Sequence, residues 1–86
     1  MPTREVVIGS SVGLHARPAS DLARNAKESG HTVKIGRPGQ NAVDARSILA
    51  IISLGVKQGE SIYLDVEGDR SEDVLDTLSE MLAHTE

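Results

Sequence analysis

The sequence contains no cysteine, no phenylalanine and no tryptophan, and Tyr63 is its one aromatic residue. Without cysteine there is no disulfide framework and no thiolate nucleophile, a composition that suits a reducing cytosol. Without ring faces the chain lacks the platforms on which single-stranded nucleic acids stack. The net charge of −4 argues the same way, because binding a phosphate backbone relies on a cationic surface. No apolar run approaches the length of a membrane span, and the opening residues MPTREVVIG include no signal-like stretch. The expectation is a soluble, cytoplasmic protein that neither binds nucleic acid nor inserts into a membrane.

What is present points to a folded chain. Isoleucine, leucine and valine supply about a quarter of the residues, above the level at which disorder becomes the rule. A length of 86 residues suits one domain spanning 1–86, with a modest core that must be aliphatic.

Hydrophobic spacing orders the elements. REVVIG, residues 4–9, is β-branched and stops at a glycine, as a first strand does. From Ala16, the small or apolar positions Ala16, Ala19, Leu22, Ala23 and Ala26 recur at helical spacing up to Gly30. HTVKIG alternates, RPGQ at 37–40 has turn chemistry, and NAVDA follows as the second arm of a hairpin. SILAIISLG begins with the capping residue Ser47 and ends at Gly55, predicting a short helix with Ile48, Ile51 and Leu54 toward the core and Leu49 and Ile52 outside. SIYLDVEG is a strand with Ile62, Leu64 and Val66 on one face and Tyr63, Asp65 and Glu67 on the other. Residues 71–84 carry a stripe of Val74, Leu75, Leu78, Met81 and Leu82, with Asp69 or Ser71 as its cap. The order βαββαβα predicts an α+β fold, an open-faced two-layer sandwich in which three helices cover one face of a four-stranded antiparallel sheet.

One stretch carries chemistry. In GLHARPAS, residues 13–20, a helix starting at Ala16 puts His15 at its N-cap and Pro18 in its first turn, where a missing N–H breaks no intrahelical bond. The main-chain N–H groups of Ala16 and Arg17 and the positive end of the helix dipole favour a bound anion, a phosphoryl group above all. The same field disfavours an imidazolium, leaving His15 a neutral, nucleophilic nitrogen. Arg17 adds a planar guanidinium suited to phosphoryl oxygens. A capping histidine beside a solvated arginine is the plainer reading of the same residues, and a regulatory module that merely holds a metabolite anion is a further one.

GLHARPAS, RSILAIISLG and the element order together resemble the HPr family of histidine-containing phosphocarrier proteins of the bacterial sugar phosphotransferase system, over nearly the whole chain. The resemblance implies that His15 accepts a phosphoryl group on Nδ1 from Enzyme I, itself charged by phosphoenolpyruvate, and passes it to sugar-specific Enzyme IIA domains. Arg17 then matches the assisting arginine. It implies a carrier without a cofactor or metal, dependent on partner enzymes, monomeric so that one face can meet successive partners. A carrier in a parallel nitrogen-related or regulatory phosphotransferase chain shares every one of these features.

The resemblance also implies a docking surface built from Ala16, Ser20, Arg24 and Lys27 together with Ile48, Leu49 and Ile52. Arg17, Arg24, Lys27 and Arg46 would make that face locally basic on an acidic chain, suited to brief encounters with acidic partners. Ser47 matches a serine that a protein kinase phosphorylates in many relatives, although three of its neighbours differ and the preceding loop is longer by one residue. A serine opening a helix also has a cap to provide. His31 and His84 form no metal-ligand spacing with His15 and read as surface residues. Gly9, Gly13 and Gly55 read as turns or a helix cap, and Gly13 is also expected to let the loop approach a phosphoryl group.

Overall fold

Alternation in one strand sets the layering. In the computed structural model, which describes residues 3–9, 13–14 and 16–84, strand β4 (Ser61–Glu67) buries Ile62, Leu64 and Val66 and turns Tyr63 and Glu67 outward. The chain order is β1 (Thr3–Val7), α1 (Ala16–Ser29), β2 (Thr32–Gly36), β3 (Val43–Asp44), α2 (Ile48–Ser53), β4 and α3 (Ser71–His84). The four strands form one antiparallel sheet in the order β1-β4-β2-β3. Register places Val6 opposite Ile62, Ile35 opposite Leu64 and Val33 opposite Val66, so these side chains share one face. This is the open-faced α+β sandwich expected from the sequence, with Tyr63 on the uncovered side.

The helices bury their small and branched residues against that face. Ala19, Leu22, Ala23 and Ala26 of α1 and Leu75, Leu78 and Leu82 of α3 are all buried. Each fully buried Leu or Ile contributes roughly 1.5–3 kcal/mol relative to exposure. In α2 the helix is too short to bury two faces, and Ile51 is its one buried residue. Ile48, expected toward the core, is 39% exposed and stands with Leu49 and Ile52 outside. Ala16, placed at the edge of the apolar stripe, is exposed as well.

Several ends depart from the sequence reading for local reasons. The second hairpin arm pairs through Val43 and Asp44, with the Ala45 N–H still donating to Val33 O at 2.9 Å, and ends there as the Asp44 carboxylate turns to accept the Arg46 N–H at 2.9 Å and its carbonyl accepts the Ser47 N–H at 3.1 Å. The strand is thereby bent into α2. The preceding turn follows expectation, with Gln40 N–H donating to Arg37 O at 3.1 Å and Gly39 at φ 79°. At the start of α3 the carbonyl of Arg70, whose φ is 59°, accepts the amides of Asp73 and Val74, so Arg70 holds the position expected of Asp69 or Ser71. Gly9 marks a close approach of the chain to the end of α3: a Cβ there would overlap the Ala83 carbonyl, and its N–H donates to Leu82 O at 3.1 Å.

His31 is no free surface residue. It is half-buried, with both ring nitrogens against main-chain carbonyls, whereas His84 is exposed in the last turn of α3. Among the described residues no helix is long and apolar enough to cross a membrane, and no three His, Cys, Asp or Glu side chains gather as metal ligands.

Candidate functional site

His15 lies outside the described residues, between Leu14 and the start of α1. On one side Leu14 is buried and donates its N–H to the Val56 carbonyl at 2.9 Å. Gly13 makes that approach possible: with φ 75° it occupies the left-handed region, and a Cβ would overlap the Val56 carbonyl oxygen and come within 2.8 Å of Lys57 Cα. The glycine thus makes room for the 56–57 main chain. On the other side α1 begins at Ala16, with Pro18 buried in the first turn.

The start of α1 has the electrostatics of an anion site. Its first turn contains no acidic residue and its last turn carries Lys27, so no carboxylate offsets the positive end of the dipole. The first N–H groups of a helix have no intrahelical acceptor and are available to phosphoryl oxygens. Arg17 is exposed and makes no ion pair with another described residue. A planar fork of five donors therefore stands one residue inside the helix.

Arg17, Ser20, Arg24 and Lys27 recur at three- and four-residue spacing and are all exposed, so they form one stripe along α1. α1 packs against α2, whose Ile48, Leu49 and Ile52 are exposed, Leu49 at 80%. The polar stripe and the aliphatic patch thus lie on two helices that pack together. The expected basic cluster is half compensated, because Arg24 pairs with Asp21 at 3.2 Å and Arg46 with Asp44 at 3.0 Å. Hydrogen bonds from the Arg46 side chain and main chain hold the Asp44 carboxyl below its usual range. Arg17 and Lys27 are the cluster's cations without a carboxylate among the described residues.

Ser47 caps α2: with φ −101° and ψ 113° it is extended, and its hydroxyl accepts the Ala50 N–H at 3.2 Å. It is also exposed beside Ile48 and Leu49. One group of residues near the site escaped the sequence reading. Lys57 to Glu60 form a turn that follows Val56, the residue whose carbonyl accepts the Leu14 N–H, and the spelling VKQGE, with an acid three residues after the turn's start, is its local signal.

Comparison with known proteins bears on what this arrangement does. Residues 2–84 match the family model described as the PTS HPr component phosphorylation site. The chain is similar to the phosphocarrier protein HPr of Streptomyces coelicolor, 39% identical over 96% of this chain and 89% of the relative. With the phosphocarrier protein HPr of Haloferax volcanii it shares 40% identity over 96% of this chain and 94% of the other. Its fold superimposes on the crystal structure of a phosphocarrier protein HPr from Bacillus anthracis with a TM-score of 0.86 at 30% identity, covering 94% of this chain and 95% of that one.

Proposed function

Because the chain belongs to the HPr family of phosphocarrier proteins, we propose that His15 accepts a phosphoryl group from phospho-Enzyme I and passes it to sugar-specific Enzyme IIA domains in phosphoenolpyruvate-dependent sugar uptake. The observation that carries this reading is the start of α1, free of acidic residues in its first turn and bearing the exposed Arg17, which has no carboxylate partner among the described residues. In acceptance the Nδ1 lone pair of His15 forms a bond to phosphorus as the bond to the donor breaks and its electron pair returns to the donor; in donation the Nδ1–P bond breaks, its electron pair returns to His15, and the acceptor's lone pair forms the new bond to phosphorus. The field of α1 keeps the imidazole neutral before transfer and favours the phosphoryl charge after it. Arg17 stabilises charge on the phosphoryl oxygens during transfer, a role that Lys cannot match for want of a planar fork.

The protein itself is a carrier without cofactor or metal, working as one domain over 1–86, monomeric and cytoplasmic. Ala16, Ser20, Arg24 and Lys27 meet each partner together with Ile48, Leu49 and Ile52, through an interface small enough to release quickly. A parallel regulatory phosphotransferase chain would use the same residues.

The test is intact mass after incubation with phosphoenolpyruvate and purified Enzyme I, alongside His15→Ala, with acid treatment of each product. One acid-labile phosphoryl group on the wild type and none on the variant is the expected result. No modification from several Enzyme I sources would leave the anion-binding module as the better reading, and an acid-stable group would point to Ser47.

A further inference from the structure

Gly13 and Leu14 rest on residues 56 and 57, and those residues are themselves held by one carboxylate. Glu60 Oε1 accepts the Lys57 N–H at 2.7 Å, while the Glu60 N–H donates to the Lys57 carbonyl at 3.1 Å, closing the turn from both sides. Glu60 Oε2 accepts Arg37 Nη2 at 2.9 Å, tying the turn to the end of β2. The far side of the turn is bonded to the first strand's exit, with Gly59 N–H to Ile8 O and Ile8 N–H to Glu60 O, both at 3.0 Å. The Lys57 amide first, and Arg37 second, hold the Glu60 carboxyl below its usual range.

We propose that Glu60, anchored by Arg37, is a positioning residue for phosphoryl acceptance: it fixes the 57–60 turn, the turn fixes Gly13 and Leu14 through Val56, and these set how the chain enters α1. The inference rests on the reading of His15 as the acceptor. In-line phosphoryl transfer depends chiefly on positioning and tolerates little misplacement of the attacking group. A carboxylate that accepts a main-chain N–H and a guanidinium together makes charge-assisted bonds, and its removal leaves both donors without that partner. The turn then opens locally at the 56–57 peptide, whose N–H Glu60 held and whose carbonyl accepts the Leu14 N–H. Glu60 touches no reacting atom, so its effect must travel through that contact.

The experiment pairs hydrogen exchange with transfer kinetics for the full chain, using Glu60→Ala and Glu60→Gln. In Glu60→Ala the Leu14 amide exchanges about tenfold faster while the central-strand amide of Leu64 does not follow. The maximal rate of phosphorylation by Enzyme I falls by about three- to tenfold with KM for this protein unchanged, because the docking residues are untouched. Glu60→Gln retains an oxygen for the Lys57 N–H and recovers most of both effects. Exchange at Leu14 that is unchanged, or that rises only in step with Leu64, overturns the proposal, as does an unaltered transfer rate. A wild type that accepts no phosphoryl group, like His15→Ala, overturns the carrier reading and this inference with it. Normal wild-type transfer that Glu60→Ala leaves intact overturns the inference alone.

Discussion

The imidazole of His31 spans from the end of α1 to the main-chain carbonyl of Asp69, in the turn that leads into α3. Its other nitrogen, Nδ1, faces the Ser29 carbonyl at 2.7 Å. Carbonyl oxygens only accept, so both bonds exist together only when the ring carries two protons. The neutral ring must leave one lone pair against an oxygen. The bond to Asp69 foremost, then that to Ser29, raises the His31 pKa above its ordinary 6.5.

That raised pKa makes the tie between α1 and the β4–α3 turn dependent on pH, with a definite sign. The folded value lies above the unfolded one, so the stabilisation is fully present below pH 6.5 and is lost as pH rises through the folded pKa. The melting temperature of the wild type should therefore exceed that of His31→Gln by most in mild acid, and the gap should narrow toward alkaline pH. Thermal melts of both proteins across this range check it; a gap independent of pH would show that the charged ring contributes nothing.

Gly13→Ala should be among the most damaging single-methyl additions in the protein. A left-handed backbone costs a non-glycine residue on the order of 1–3 kcal/mol where the structure enforces it. At this position the new Cβ also meets the Val56 carbonyl and the Lys57 main chain, neither of which is a flexible side-chain tip. Gly39→Ala has the same sign of φ, with no atom within 4 Å of its Cβ, and serves as the control for backbone strain alone. Urea unfolding should place Gly13→Ala well below Gly39→Ala; equal midpoints would mean that the 56–57 segment gives way.

These positions show which parts of the molecule could be read in advance. Faces set by short-range period were legible: Ile62, Leu64 and Val66 inside, Tyr63 and Glu67 outside, and the alanines of α1 against the sheet. What was not legible depends on partners distant in sequence. Nothing near His31 signals that Asp69 presents a carbonyl to it, and nothing near Glu60 signals Arg37. Helical spacing places Ile48 in the core, which overstates what a six-residue helix can bury. In the candidate site, the motif GLHARPAS was enough to nominate His15 and Arg17, whereas the anchoring of Gly13 and Leu14 on Val56 required the tertiary structure.

Leu49 and Leu64 should separate docking from folding. Leu64 is fully buried in the central strand, and truncation to alanine should cost about 2–5 kcal/mol. Leu49 is 80% exposed, so Leu49→Ala should change stability by no more than about 0.5 kcal/mol. If Leu49 meets Enzyme I, the same variant raises KM for this protein with kcat little altered, the signature of lost binding common to ground and transition states. Unchanged KM would remove Leu49 from the docking surface.

Ser47 offers a way to alter that surface without unfolding it. Its hydroxyl caps α2, and aspartate is an equally good cap whose charge suits a helix N-terminus, so Ser47→Asp should melt close to the wild type. Ser47→Ala removes the acceptor for the Ala50 N–H and should cost about 1 kcal/mol. Function should invert that order. The new negative charge stands beside Ile48 and Leu49, and the neighbouring Arg46 is already engaged with Asp44, so an acidic partner meets repulsion that Arg46 does not offset. Transfer from Enzyme I should be slower for Ser47→Asp than for Ser47→Ala, and the difference should shrink as added salt screens the charge. Equal rates for the two variants would confine Ser47 to its cap.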